Sequence, residues 1–205
     1  MKLNQTSLEK KHIPVMLEEV IKICQPKTGG LFLDCTFGGG SYSNSLLKHQ
    51  DTKIFALDRD KKVIPIAKKI QQKFNKRFSF LHLKFSELES VSQKNFDAVI
   101  FDLGLSSIQL NNLERGFSFN SKASLDMSMG LSTTSAEKVV NNFSEQGLKS
   151  IIKILGEEKE ASRIAKNIIK TRLIKKITTV DQLVEIIKKS KKKNYKDKIN
   201  PSTKT

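Results

Sequence analysis

The chain has 205 residues, with 37 Lys and Arg against 21 Asp and Glu, so its formal net charge is +16. Hydrophobic residues make up 38% of it, which is enough for a folded core, and two cysteines are too few for a disulfide framework. No apolar run is long enough to span a bilayer, and residues 1–16 lack the basic-then-apolar order of a signal peptide. We therefore expect a cytoplasmic protein without a membrane partner.

The positive charge is concentrated toward the end of the chain. Residues 151–205 contain 16 basic and 6 acidic residues, a net charge of +10, while residues 1–150 have a net charge of +6. Such an excess favours a polyanionic partner, because each neutralised phosphate releases condensed counterions. The alternative is a compositional bias in which most lysines are only solvated, so charge suggests nucleic acid without assigning a function.

Strands alternate with helices in the first hundred residues. Apolar runs predict strands over 31–35, 53–58, 78–83 and 96–103, with helices over 41–49 and 61–74. This alternation is typical of a parallel α/β sheet with right-handed crossovers. The fourth strand is apolar enough to be central, yet it would lie at the edge of an unfinished sheet. Either the later helices cover it, or strands of a complete protein are missing.

The pattern changes after residue 105. Residues 106–133 are rich in Ser, Asn and Gly and predict a long loop, and loops of this length are usually functional or disordered. Helices are predicted from Thr134, which has capping-box spacing to Glu137, then over 144–155, along an apolar stripe from Ala161, and after Thr179. The basic end of the chain, from residue 188, has no apolar period, and we expect it to be mobile.

A glycine-rich segment, Asp34-Cys-Thr-Phe-Gly-Gly-Gly40, lies between the first strand and its helix. Glycines allow a tight turn and a close approach to a ligand, and a helix N-terminus offers free N–H groups. Asp58 ends the second strand, where a carboxylate can accept hydrogen bonds from ribose hydroxyls. The glycines alone could mark a structural turn, but together with Asp58 they indicate a site for an adenosine-containing cofactor.

The type of cofactor follows from what the glycine-rich segment lacks. Ser43 stands where the dinucleotide fingerprint requires its third glycine, and no G-K-[ST] follows Gly40. A glycine loop without pyrophosphate contacts suits S-adenosylmethionine, which carries no phosphate. Asp102 ends the fourth strand at the carboxyl edge, where ligands bind in such sheets. A nicotinamide-dependent oxidoreductase is the alternative, and Ser43 argues against it.

Seven segments follow one another in a fixed order along the chain. They are His12-Ile-Pro-Val-Met16, Asp34-Cys-Thr-Phe-Gly-Gly-Gly40, Ala56-Leu-Asp-Arg-Asp60, Phe85-Ser-Glu-Leu88, Asp102-Leu-Gly-Leu-Ser-Ser-Ile-Gln-Leu110, Glu114-Arg-Gly-Phe-Ser-Phe119 and Leu125-Asp-Met127. Together they resemble the MraW family, the ribosomal RNA small subunit methyltransferase H family of cytosine-N4 methyltransferases. The resemblance implies a partial Rossmann-like methyltransferase sheet of four strands with a helical insertion domain. It also implies N4-methylation of a cytidine in 16S ribosomal RNA, with S-adenosylmethionine as cofactor and small-subunit rRNA or the small ribosomal subunit as partner.

The resemblance also assigns site residues. It places cofactor contacts at Gly40, Ser41, Tyr42, Asp58, Phe85, Asp102 and Gln109. Backbone N–H groups after the first strand would bind the methionine carboxylate, Asp58 the ribose and Phe85 the adenine. Asp102 is the candidate catalytic acceptor for the target amine, although it could instead hold the cofactor. Phe85 could also be ordinary core, and Gln109 could cap the loop. We assign no metal, and no catalytic role to any histidine.

Departures from the family pattern matter for this interpretation. Ser41 and Tyr42 stand where the family usually has Gly and His, and Ser128 stands where it usually has Arg. Family members also continue beyond the position of Thr205, so the resemblance implies a truncated enzyme. We expect a cofactor-binding half over 1–105, an active-site loop region over 106–133 and a helical RNA-binding domain with a basic tail over 134–205. The competing hypothesis is an inactive, truncated RNA-binding remnant.

Overall fold

The computed structural model describes Pro14, residues 16–191 and residues 200–205. The predictions for His12 and Ile13, and for most of the basic tail, therefore lie outside the described residues. The chain divides into two compact units, Met1–Ser107 and Ile108–Thr205. The first contains the sheet and the second is helical.

The first unit is built on a four-stranded parallel sheet. Its strands are β1 Gly30–Asp34, β2 Thr52–Asp58, β3 Phe78–His82 and β4 Ala98–Ile100, in the order β3-β2-β1-β4. In the register, Asp34 of β1 lies opposite Ala56 of β2 and Ile100 of β4. The unit is a Rossmann-like α/β methyltransferase arrangement, as the alternation of strands and helices predicts.

Three α-helices and several short 3-10 turns precede or connect these strands. The helices are α1 Leu17–Cys24, α2 Ser41–Leu46 and α3 Ile64–Phe74, and the turns are Pro26–Thr28, Lys61–Val63, Asn75–Arg77 and Phe85–Ser90. Asp60 caps the turn before α3, where its carboxylate accepts the Lys62 N–H at 3.1 Å. Pro65 lies in the first turn of α3, where its missing N–H costs no helical hydrogen bond.

The predicted helix over 41–49 ends three residues early, at Leu46. The reason is a long-range contact that a local pattern does not contain. The Arg77 guanidinium donates hydrogen bonds to the carbonyls of His49, at 2.8 Å, and Gln50, at 3.0 Å. These carbonyls are held in a turn that leads into β2.

The fourth strand is shorter than predicted, and it lies at the edge of the sheet. Its ladder with β1 runs only from Ala98 to Ile100, because β1 ends at Asp34 and the glycine-rich segment then turns away. Val99 and Phe101 are each 46% exposed, while Phe32 and Ile54 on the inner strands are fully buried. The predicted edge position of the fourth strand is therefore confirmed, although the strand is apolar enough to be central.

The second unit is a helical cluster around one apolar core. Its helices are α4 Ser107–Asn111, which spans the boundary, α5 Ala136–Asn142, α6 Glu145–Ile154, α7 Ala161–Ile174 and α8 Val180–Ser190, with 3-10 turns Leu113–Arg115 and Pro201–Lys204. The stripe predicted for α7 is confirmed, since Ala161, Ile164, Ala165 and Ile168 are buried. Leu125, in one of the family-like segments, is fully buried in the same core.

The helices of the second unit start close to their predicted positions. Ser144 accepts the Gly147 N–H at 3.1 Å before α6, and Thr179 forms a capping box with Gln182 before α8. The cap of α5 is Ser135, which accepts the Lys138 N–H at 3.3 Å, so the predicted start at Thr134 is off by one residue. The region 106–133 is also not a continuous loop, because it contains α4 and the turn Leu113–Arg115.

Candidate functional site

Three carboxylates mark the carboxyl edge of the sheet, one after each of three neighbouring strands. Asp34 ends β1, Asp58 ends β2, and Asp102 follows β4. They lie close enough for the charges of Asp58 and Asp102 to raise the pKa of Asp34. Their environments differ, because Asp34 is fully buried, Asp58 is partly buried and Asp102 is exposed.

Asp34 is a buried acid inside the site. Burial raises its pKa to about 6. The hydrogen bonds that it accepts from Ser43 Oγ at 2.7 Å and from the Thr36 N–H at 3.3 Å lower the pKa, but burial outweighs them. Asp34 is not among the predicted site residues. Its position as the last residue of a buried strand and the first of the glycine-rich segment could have indicated it.

Asp58 joins the end of β2 to the glycine-rich segment. Its two carboxylate oxygens accept the N–H groups of Gly38 and Asp60, each at 2.8 Å. Burial raises its pKa in spite of these hydrogen bonds. Because each carboxylate oxygen has a second lone pair, Asp58 can still accept a hydrogen bond from a ribose hydroxyl.

The glycine-rich segment combines one packed glycine with an open face. Gly40 has a φ of +74°, and a Cβ there would lie 2.7 Å from Ile70 Cδ1 and 2.8 Å from the Phe37 ring. A Cβ at Gly39, or at Gly104 after β4, would meet nothing within 4 Å. The backbone is therefore open to a ligand at Gly39 and Gly104, and this open face fits an extended cofactor such as S-adenosylmethionine.

Tyr42 and Asp102 are in direct contact. Tyr42 lies in the first turn of α2, is only 7% exposed and hydrogen-bonds to the Asp102 carboxylate. Burial, and then Asp102, raise the pKa of the tyrosine, so its hydroxyl stays protonated and donates. The Asp102 N–H donates to Thr36 Oγ1 at 2.7 Å. Thr36 in the glycine-rich segment and Tyr42 just after it thus hold Asp102, the candidate catalytic acceptor.

Two phenylalanines form an exposed apolar pair near this edge. The rings of Phe85 and Phe101 are perpendicular, with centroids 5.7 Å apart. They are 41% and 46% exposed, so the interpretation of Phe85 as a core residue is wrong. Phe101 is missing from the predicted site, although its place directly before Asp102 could have indicated it.

The predicted site residues lie in two different units. Gly40, Ser41, Tyr42, Asp58, Phe85 and Asp102 all belong to the first unit. Gln109 belongs to the second unit, where it is buried on α4, and its contact with a cofactor stays a prediction.

In the described part of the chain, no group of three or more His, Cys, Asp or Glu residues could hold a metal ion. None of the helices in the described ranges is long and apolar enough to cross a membrane.

Comparison with known proteins gives consistent matches. A model described as the MraW methylase family matches residues 9–205. The chain is 43% identical over 195 residues to Ribosomal RNA small subunit methyltransferase H of Rickettsia akari (strain Hartford), which covers 95% of this chain and 63% of that protein. The protein of the same name from Rickettsia massiliae (strain Mtu5) is 42% identical with the same coverage. That of Rickettsia bellii (strain RML369-C) is 41% identical over 97% of this chain and 65% of its own length. The chain thus spans less than two thirds of each of these relatives.

Proposed function

Since the chain belongs to the MraW methylase family, we propose that it binds S-adenosylmethionine at the carboxyl edge of its sheet and methylates small-subunit ribosomal RNA at N4 of a cytidine. One observation carries this proposal. The open-faced glycine-rich segment, Asp58 and Asp102 converge at that edge through the hydrogen bonds from Gly38 to Asp58 and from Asp102 to Thr36. The names of the relatives support the RNA substrate.

The residues present can be assigned to the parts of the cofactor. Asp58 would accept hydrogen bonds from the ribose, and the exposed face of Phe85 would contact the adenine. The backbone of Gly40, Ser41 and Tyr42 would bind the methionine carboxylate, and Gln109 is proposed as a further contact. When bound, S-adenosylmethionine supplies an electrophilic methyl group on a sulfonium centre.

Asp102 would prepare the target amine. The N4 amine of cytosine is a weak nucleophile, because its lone pair is delocalised into the ring. A carboxylate that accepts a hydrogen bond from this amine favours a pyramidal nitrogen and directs its lone pair outward. Tyr42 already donates to Asp102 and orients it. Catalysis would then come mainly from positioning and electrostatics.

The second unit would bind and present the RNA. The cytidine must be unpaired or displaced from its stack, so exposed aromatic rings are useful. Phe119 is 40% exposed, while the Arg115 guanidinium lies 5.2 Å from the Phe117 ring centroid. We propose Phe119 as the stacking residue. A cytoplasmic location agrees with a ribosomal RNA substrate and stays part of the proposal.

Calorimetric titration with S-adenosylmethionine and, in parallel, with NAD tests the cofactor. We expect saturable binding of S-adenosylmethionine and none of NAD. Phe85→Ala should weaken that binding by about three- to tenfold, the value of one aromatic contact, with little change in melting temperature. Phe143, which is 40% exposed in the second unit, provides the matched control Phe143→Ala.

Other outcomes would point to the competing functions. Binding of NAD would favour an oxidoreductase. RNA binding by a folded chain that takes up no S-adenosylmethionine would favour an RNA-binding protein without activity. Where the cofactor binds, transfer of a labelled methyl group to small-subunit rRNA, followed by nucleoside analysis, tests the N4-cytidine assignment.

A further inference from the structure

A groove lined with lysines runs along the second unit between α7 and α8. Its volume is about 560 Å³. Four lysines, Lys170, Lys175, Lys176 and Lys189, line it. Ile177 and Ile186, which also line it, are 1% and 8% exposed and form its floor.

Three of the four lysines that line this groove have unpaired side chains. In the described part of the chain, the side chains of Lys170, Lys175 and Lys189 take part in no hydrogen bond or ion pair, and all three are exposed. Lys176 is paired with Glu137 at 2.6 Å. Three ammonium groups are therefore free to bind a ligand.

The two acidic residues of the groove are already engaged. Glu185 is paired at 3.2 Å with Lys188, which does not line the groove. The Asp181 carboxylate hydrogen-bonds to Thr179, and this bond lowers its pKa. Neither carboxylate neutralises a groove lysine, so the groove presents a net positive surface.

Uncharged donors complete the lining. The side-chain oxygen of Gln182 accepts the N–H groups of Thr178, at 2.9 Å, and Thr179, at 3.3 Å. Its amide NH₂ group is then left to donate elsewhere, and the Thr171 hydroxyl also lines the groove. Lysines together with neutral donors are the groups that proteins use to bind nucleic-acid phosphates and sugars.

We propose that the α7–α8 groove binds the phosphate backbone of RNA, an inference that rests on the proposed function for its choice of polyanion. A protein partner fits less well, because protein interfaces are anchored by exposed aromatic or aliphatic side chains, and this groove has none. Its contacts would be independent of the RNA sequence.

The test compares two triple variants of the full chain. Lys170→Gln, Lys175→Gln and Lys189→Gln together remove the free charge of the groove. Lys149→Gln, Lys153→Gln and Lys159→Gln together remove the same charge from residues of the same unit that do not line it. Binding of a labelled single-stranded RNA is measured by fluorescence anisotropy over a range of salt concentrations, and circular dichroism melting checks folding.

The groove variant should bind RNA at least about tenfold more weakly, and its plot of log affinity against log salt should be shallower by roughly two, the share of three phosphates. The control variant should remain close to the parent chain. Equal losses in both variants, or no loss in the groove variant, would overturn the proposal. Displacement of the RNA by polyglutamate at similar concentrations would overturn it in favour of an acidic protein partner.

Titration with S-adenosylmethionine separates this proposal from the proposed function. Both triple variants should bind the cofactor as the parent chain does, because the altered lysines lie outside the first unit. The parent chain could bind RNA but no S-adenosylmethionine, while only the groove variant loses RNA affinity. In that case the proposed methyltransferase function fails and the groove assignment stands.

Discussion

The three carboxylates at the carboxyl edge of the sheet have different tasks because they have different surroundings. Asp34 is buried and accepts hydrogen bonds from within its own segment. Asp58 holds the glycine-rich segment with both of its oxygens. Only Asp102 is exposed. It is therefore the carboxylate of this group best placed to contact an incoming base.

The charge of Asp34 makes stability depend on pH. Its folded-state pKa of about 6 lies above its ordinary value of 3.8, so the folded state favours the protonated acid. The stability from this preference is present below pH 3.8 and is lost as pH rises through about 6, at a cost of about 3 kcal/mol. Asp34→Asn stays neutral and should gain stability over the parent across this range, as measured by urea denaturation.

A matched control for this experiment is Asp51→Asn, which removes an exposed acid from the same unit. It should leave the pH profile of the parent unchanged. Parallel stability profiles for the parent and Asp34→Asn would show that the buried carboxyl does not carry this pH dependence.

The hydroxyl of Tyr42 should affect the reaction more than the cofactor affinity. Tyr42→Phe keeps the buried ring and the backbone of α2 but removes the donor to Asp102. Since a hydrogen bond to a charged group is worth about 1.5–3 kcal/mol, we expect kcat for methyl transfer to fall by about tenfold or more. Calorimetry should give nearly the same Kd for S-adenosylmethionine. An equal loss of affinity would assign Tyr42 to cofactor binding instead.

The turn between β1 and α2 depends on one glycine more than on its neighbours. Gly40→Ala places a methyl group against Ile70 and Phe37 and also forces alanine into a positive φ. We expect a loss of about 2 kcal/mol in the free energy of unfolding. Gly39→Ala is the control, because its Cβ enters open space, and its stability should stay within about 0.5 kcal/mol of the parent. Equal losses would contradict this packing argument, and chemical denaturation measures both.

A buried ion pair joins three elements of the second unit. Glu158 is 4% exposed, accepts the Glu160 N–H at 3.0 Å before α7 and pairs with Lys191 after α8. Lys191 also donates to the Pro201 carbonyl at 2.8 Å, which holds the turn Pro201–Lys204. Burial alone would raise the pKa of Glu158. The hydrogen bonds that Glu158 accepts from Glu160 and Lys191, together with the charge of Lys191, outweigh burial, so its pKa is lowered.

Lys191→Met should destabilise the protein by about 2–3 kcal/mol at neutral pH, because it leaves Glu158 buried and unpaired. A lowered pKa means that the stability from Glu158 is present above its unfolded pKa and is lost as pH falls, so the gap between parent and variant should close in acid. Thermal denaturation across pH measures this. The exposed pair of Lys188 and Glu185 gives the control Lys188→Met, which should cost less than about 1 kcal/mol.

For the molecule as a whole, the net charge of +16 dominates any encounter with RNA. We expect RNA affinity to fall linearly on a plot of log affinity against log salt, and heparin to compete, because phosphate contacts release counterions. Anisotropy titrations measure both effects. An affinity that did not change with salt would show that contacts other than phosphates dominate binding.

Sequence patterns with short-range causes were enough to predict much of this fold. Alternating strands and helices predicted the parallel sheet, and apolar spacing predicted the buried stripe of α7. A helix predicted from Ser144 and a cap predicted at Thr179 matched two helix starts. Each of these features depends on residues within a few positions of one another.

The remaining features were decided by contacts between distant residues. The edge position of β4 depends on which strand is its neighbour. The end of α2 depends on Arg77, and the burial of Asp34 depends on the packing around it. The contact between Tyr42 and Asp102 joins a residue of the β1–β2 crossover to one that follows β4. The family-like motifs predicted where the chemistry would lie. Only the tertiary structure showed which carboxylate is buried, which supports the loop and which is exposed, because burial and long-range hydrogen bonds exist only once the chain is packed.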